Sequence, residues 1–111
     1  MVSTTLFVAS PAAMADPPRR DRLEGLAALM RSVLLARERV MIEMNVPADR
    51  LDGLVRAVPC MKSPTVSPLY GGGGFAVKIA VQRGTVADLI PALKALGATD
   101  ILEYSVNKIV L

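Results

Sequence analysis

The residues whose types could do chemistry are few. Asn45 can both donate and accept hydrogen bonds, and Thr65 and Ser67 bring hydroxyls to an extended stretch bounded by Pro64 and Pro68. Polar groups held by rigid prolines could serve a small polar ligand or a neighbouring subunit; from spacing alone, plain edge-strand structure explains them better. Cys60 follows Pro59 with Lys62 nearby, and with no histidine and no second cysteine beside it, it reads as inert. Four glycines, Gly71 to Gly74, suggest a phosphate cradle, but they lead into a strand rather than a helix N-terminus, so they read as a hairpin tip. Asp49 and Asp52 lie on a wet helix face rather than as a converging acid pair, and the methionines, Met41, Met44 and Met61 among them, read as core filling.

Composition narrows the chemistry further. The 111 residues hold no histidine and one cysteine, which excludes histidine-based acid and base catalysis, nearly every zinc site and any internal disulfide. A lone cysteine fits a reducing compartment. The 52% apolar content supplies a core, but aromatics are only 4%, so the core is aliphatic and stacking platforms for nucleic-acid bases are nearly missing. The net charge of +3 is spread among acids; Arg19, Arg20 and Arg22 cluster, yet Asp21 and Glu24 sit with them, as on a solvated helix start. Leu6 to Ala15 resembles a signal peptide only superficially, because no Lys or Arg precedes Arg19 and the apolar run is short. No run approaches the ~20 apolar residues that a membrane span needs, so a cytoplasmic location is expected, with no membrane or nucleic-acid partner.

The elements that must position these residues follow from periodicity. Thr4 to Ala9 reads as a short strand without a partner nearby; Pro11, Pro17 and Pro18 punctuate the linker that follows, which ends where Asp16 followed by proline makes a helix entry, proline being tolerated in the first turn. From Arg19 to about Arg37 the residues Leu23, Leu26, Met30, Val33 and Leu34 form one stripe of an amphipathic helix that needs a covering surface. The period then changes to two: Val40, Ile42, Met44 and Val46 share one strand face, and Met41, Glu43 and Asn45 share the other. Pro47 opens a helix to about Val58 with Leu51, Leu54, Val55 and Val58 inward. Ser63 to Leu69 is extended and must be an edge strand or an irregular one, because neither proline can donate to a ladder. Phe75 to Gln82 alternates as its hairpin partner. Thr85 caps a helix carrying Val86, Leu89, Ile90, Leu93 and Leu96, Gly97 stops it, and Ile101 to Val106 closes as a strand. The order β-α-β-β-α-β in one α+β unit predicts a ferredoxin-like sandwich: an antiparallel four-stranded sheet with two helices on one face, preceded by an N-terminal helical arm.

The run Lys62-Ser63-Pro64-Thr65-Val66-Ser67-Pro68-Leu69 resembles the signature of the C-terminal regulatory domain of long-form ATP phosphoribosyltransferase. Val40 to Pro47 looks like that family's first regulatory strand. Leu93 to Ala98 with Ile101-Leu102 looks like its last helix and strand, and residues 1–37 look like a remnant of a catalytic-domain strand plus connecting helix. The resemblance implies that residues 38–111 bind L-histidine between subunits and relay feedback inhibition to a separate catalytic half within an oligomer. It puts the histidine contacts on Asn45, Thr65, Val81 and Asp100, the last two mainly through backbone groups. Asn45 stands where some members have Asp, and Asp100 where a small residue is common. The phosphoribosyl-pyrophosphate loop, the ATP site and the Mg²⁺ of the complete enzyme belong to preceding residues, so no catalytic residue and no cofactor is expected in this chain. A competing reading is an oligomeric signalling module of the nitrogen-regulator type, whose similar subunits bind nucleotides between them; an independent enzyme comes third, for want of His, paired acids and metal ligands.

Overall fold

The computed structural model describes residues 6–60 and 63–111. Strand β1 (Arg39–Val46) is the centre of a four-stranded sheet with β2 (Thr65–Pro68), β3 (Phe75–Gln82) and β4 (Thr99–Ser105), in the order β2-β3-β1-β4. Every pairing is antiparallel. Helix α3 (Leu51–Ala57) links β1 to β2, and α4 (Val86–Ala95) links β3 to β4. This is the expected ferredoxin-like plan: each crossover joins two parallel strands with a third, antiparallel strand slotted between them.

The alternation along β1 is strict. Val40, Ile42, Met44 and Val46 are buried while their neighbours stay partly open. Val77, Ile79 and Val81 of β3 face the same side, and Leu54 of α3 with Val86, Leu89 and Leu93 of α4 close over them. Burying each such aliphatic side chain contributes about 1.5–3 kcal/mol, so this one aliphatic layer holds sheet and helices together.

The ends of these elements depend on local chemistry. The helix expected from Pro47 begins as a 3₁₀ turn at Ala48–Arg50 and becomes α-helical only at Leu51. Thr85 does not cap α4 in the expected sense: its hydroxyl donates 2.8 Å to the Gln82 carbonyl, and a 3₁₀ turn over Arg83–Thr85 leads into the helix. At the other end Gly97 sits at φ 99, with Gly97 N–H donating to Lys94 O and Ala98 N–H to Leu93 O, each at 3.0 Å. That double closure is a Schellman motif, which glycine can adopt without strain. The last strand starts at Thr99, two residues earlier than the alternation suggests, and ends at Ser105.

The N-terminal region departs from expectation. Thr4 and Thr5 lie outside the described residues, and Leu6–Ser10 form no strand and pair with none of the four strands of the sheet; Phe7, Val8 and Ala9 line a groove with Leu23, Leu26 and Met30 instead. The segment expected as a linker holds a short helix, α1 (Pro11–Ala15), in which Ser10 Oγ accepts from Ala13 N–H at 3.1 Å. Helix α2 (Pro17–Arg37) starts at Pro17 directly after Asp16, at the entry that the sequence marks. Arg19 pairs with Asp16 and Arg20 with Glu24 at 3.4 and 3.9 Å, as befits a solvated helix start. Only Ser32 and Ala36 of α2 are buried; Leu23, Leu26, Met30 and Leu34 are exposed. The helix is anchored at its C-terminal end, where Arg83 Nε donates to Arg37 O at 3.1 Å and Ile109 N–H donates to Ser32 O at 3.0 Å.

Candidate functional site

The sheet face opposite the helices carries the polar residues. Strand register stacks them in rows: Thr65, Lys78, Glu43 and Leu102 cross the sheet in one, and Ser67, Ala76, Asn45 and Thr99 in the next. Between these rows lies a concavity of about 300 Å³ whose wall includes Asn45, Thr65, Ser67, Lys78, Glu43 and Asp100. Its floor is low because Ala76 carries only a methyl group between Ser67 and Asn45.

An irregularity in the β1–β4 pairing shapes one wall. Glu43 faces Leu102 and Asn45 faces Thr99, so two steps along β1 match three along β4. Asp100 falls in this bulge with φ 51, the left-handed region, where Asp is among the few side chains tolerated. Its Oδ2 accepts from Asn45 Nδ2 at 3.3 Å and from Thr99 Oγ1 at 3.2 Å. The carboxylate can only accept here, so the nitrogen of the Asn45 amide must face it and the amide oxygen is left for other donors.

The other wall is a charged network. Lys78 Nζ stands 3.3 Å from Glu43 Oε1, and Tyr104 Oη donates to the same oxygen at 2.6 Å. The Tyr104 hydrogen bond, followed by that from Lys78, holds the Glu43 carboxyl below its ordinary range. The same bond to Glu43 pushes the Tyr104 phenol up.

Three of the four residues that the resemblance marks, Asn45, Thr65 and Asp100, therefore line one space. The Asp100 carboxylate is tied to this group through its hydrogen bond from Asn45 Nδ2 at 3.3 Å. Val81 is elsewhere: its side chain is in the core, 1% exposed, opposite Val40. Because β2 pairs with β3 only up to Lys78, the Val81 strand edge opens instead on a second concavity of about 320 Å³ shared with Arg39, Cys60, Gln82 and Thr85. Glu43, Lys78 and Tyr104 were not singled out from the sequence. The signal for the first two was present as opposite charges on the same parity of two strands. Lys62 and Met61 lie outside the described residues. Among the described residues no group of three or more His, Cys, Asp or Glu could hold a metal ion, and no helix is long and apolar enough to cross a membrane.

An antiparallel sheet of this strand order, with two helices on one face and a polar hollow on the other, defines a ferredoxin-like domain. The chain belongs to the family described as HisG, C-terminal domain, which matches residues 36–108. It is 44% identical over 108 residues to the ATP phosphoribosyltransferase of Pelotomaculum thermopropionicum, covering 97% of this chain and 37% of that protein. The ATP phosphoribosyltransferase of Desulforudis audaxviator is 43% identical over 108 residues, with the same coverage of 97% and 37%. That of Nitratidesulfovibrio vulgaris (strain Miyazaki F) is 41% identical over 110 residues, covering 99% of this chain and 38% of the relative. The chain thus spans a little over a third of the length of these curated relatives.

Proposed function

We propose that this chain is the regulatory part of an ATP phosphoribosyltransferase, acting in histidine biosynthesis by binding L-histidine as a feedback effector. The observation that carries the reading is the meeting of Asn45, Thr65 and Asp100 around one hollow on the open sheet face. An amino acid needs an acceptor for its ammonium group, donors for its carboxylate and a partner for its ring. The hollow offers a carboxylate in Asp100, hydroxyl donors in Thr65 and Ser67, and an amide oxygen in Asn45. Val81 enters this reading only through its strand-edge backbone, which faces the second concavity.

Catalysis in this reading belongs to other parts of the relatives' length, and so does Mg²⁺. The chain's partners are those catalytic domains and further copies of itself, since a hollow with one open side gains a second wall from a neighbour. Allostery requires two coupled sites and two global states, and this chain supplies the effector site. Isothermal titration calorimetry of the 111-residue chain with L-histidine tests the reading. Saturable heat supports it. No heat at about 4 mM ligand, a concentration at which even millimolar affinity is measurable, overturns it, and stabilisation by nucleotide instead of histidine would favour the nitrogen-regulator type.

A further inference from the structure

The charge inventory of the hollow singles out one group. Of the two carboxylates on its wall, Glu43 is matched by the ammonium of Lys78 at 3.3 Å and by the Tyr104 phenol at 2.6 Å. Asp100 has no cation within ion-pair distance among the described residues; its Oδ2 receives only the neutral donors of Asn45 and Thr99. With Lys78 cancelling Glu43, the hollow keeps one unmatched negative charge, and that charge is on Asp100. The backbone holds it there under strain: among the described residues it is the one non-glycine residue at positive φ, placed by the β1–β4 bulge.

Given the reading of the hollow as an amino-acid site, on which the following rests, we infer that Asp100 takes the α-ammonium group of the ligand and that Asn45 is a positioning residue for its carboxylate. At neutral pH the imidazole of histidine, with an ordinary pKa near ~6.5, is mostly uncharged, so the α-ammonium is the ligand's standing cation. A carboxylate binds it through a charge-assisted hydrogen bond, roughly twice as strong as one from a neutral acceptor such as the Asn45 amide oxygen. Asn45 Nδ2 and Thr99 Oγ1 both engage Oδ2, which leaves Oδ1 as the oxygen that meets the ligand. The bond from Asn45 also fixes the direction of the carboxylate at no electrostatic cost, because a neutral amide does not compete with the ligand for the charge.

Calorimetry with two ligands tests this: L-histidine, and imidazolepropionate, which keeps ring and carboxylate but lacks the amine. The wild-type chain is expected to prefer L-histidine by about tenfold or more. In Asp100→Asn that preference disappears because L-histidine weakens while imidazolepropionate does not. Moving the carboxylate across the 3.3 Å bond, in the double variant Asn45→Asp with Asp100→Asn, restores part of the preference. If Asp100→Asn binds L-histidine as tightly as the wild type, the assignment of Asp100 is overturned while the effector reading stands. If the wild type binds neither compound, the effector reading fails and this inference falls with it. Asp100→Gly, which suits φ 51, serves as a second carboxylate-free variant should Asp100→Asn not fold, and circular dichroism establishes folding for each.

Discussion

Tyr104 Oη donates a 2.6 Å hydrogen bond to Glu43 Oε1 across the β1–β4 pairing, joining residues 61 positions apart on the exposed sheet face. The bond favours the ionised form of Glu43 and the neutral form of Tyr104, so the two titrations move apart.

The pH consequence has two limbs. Glu43, depressed from an ordinary 4.5, contributes stability that is fully present above that value and is lost as pH falls through its folded pKa. Tyr104, raised from an ordinary 10.0, contributes stability that is present below that value and is lost as pH rises through its folded pKa. Tyr104→Phe is expected to move the Glu43 titration back up, followed by carboxyl-carbon NMR between pH 2 and about 7. An unchanged Glu43 titration in this variant would mean that Lys78 alone holds the carboxylate.

Gly74 is the glycine of the hairpin tip at which a side chain would meet backbone. At φ 133, a Cβ there would stand 2.5 Å from the Val46 carbonyl oxygen, where β1 ends. Gly74→Ala is expected to destabilise the chain by about 2 kcal/mol, while Gly73→Ala, which meets nothing within 4 Å, changes stability by less than about 0.5 kcal/mol. Urea unfolding of both variants separates a strained position from a merely flexible loop.

The core and the arm should respond differently to truncation. Leu54→Ala removes a side chain that is 0% exposed in the cluster between α3 and the sheet, and should cost about 2–5 kcal/mol. Leu26→Ala, at a position 52% exposed on α2, should change stability by no more than about 0.5 kcal/mol. Equal costs in denaturant midpoints would show that the α2 stripe is covered in solution.

Asp100 holds a conformation that glycine adopts freely. Asp100→Gly is therefore expected to leave the melting temperature unchanged or raise it, by the equivalent of up to about 1 kcal/mol, less whatever is lost with the Asn45 and Thr99 bonds. A clear loss of thermal stability in differential scanning calorimetry would show that those two bonds outweigh the backbone strain.

Much of the fold was legible because each element announced its own period. Val40, Ile42, Met44 and Val46 repeat every second residue, and Leu89 and Leu93 recur at the helical step, so burial on one side was implied before any contact was known. The inward side of Val81 was legible in the same way, since it shares parity with Val77 and Ile79. Leu6–Ser10 misled because a short apolar run is a strand only if a partner supplies the ladder, and partnership is not a local property.

The site was legible only in part. Asn45, Thr65 and Asp100 could be named singly from the resemblance, but their meeting depends on which residue stands opposite which. Register across three pairings decided that Thr65 lies in the row of Lys78 and Glu43, and Ser67 in the row of Asn45. The bulge that brings Asp100 against Asn45 has no one-dimensional signature, because it is a mismatch between two strands.

Taken alone, the order of residues determined the aliphatic face and the alternation of strands and helices, since each depends on neighbours along the chain. The tertiary structure decided which polar groups share a space: Lys78 with Glu43 and Tyr104, and Asn45 with Asp100. Hydrogen bonds and charges act over a few ångströms, and only the pairing of strands brings residues tens of positions apart within that range.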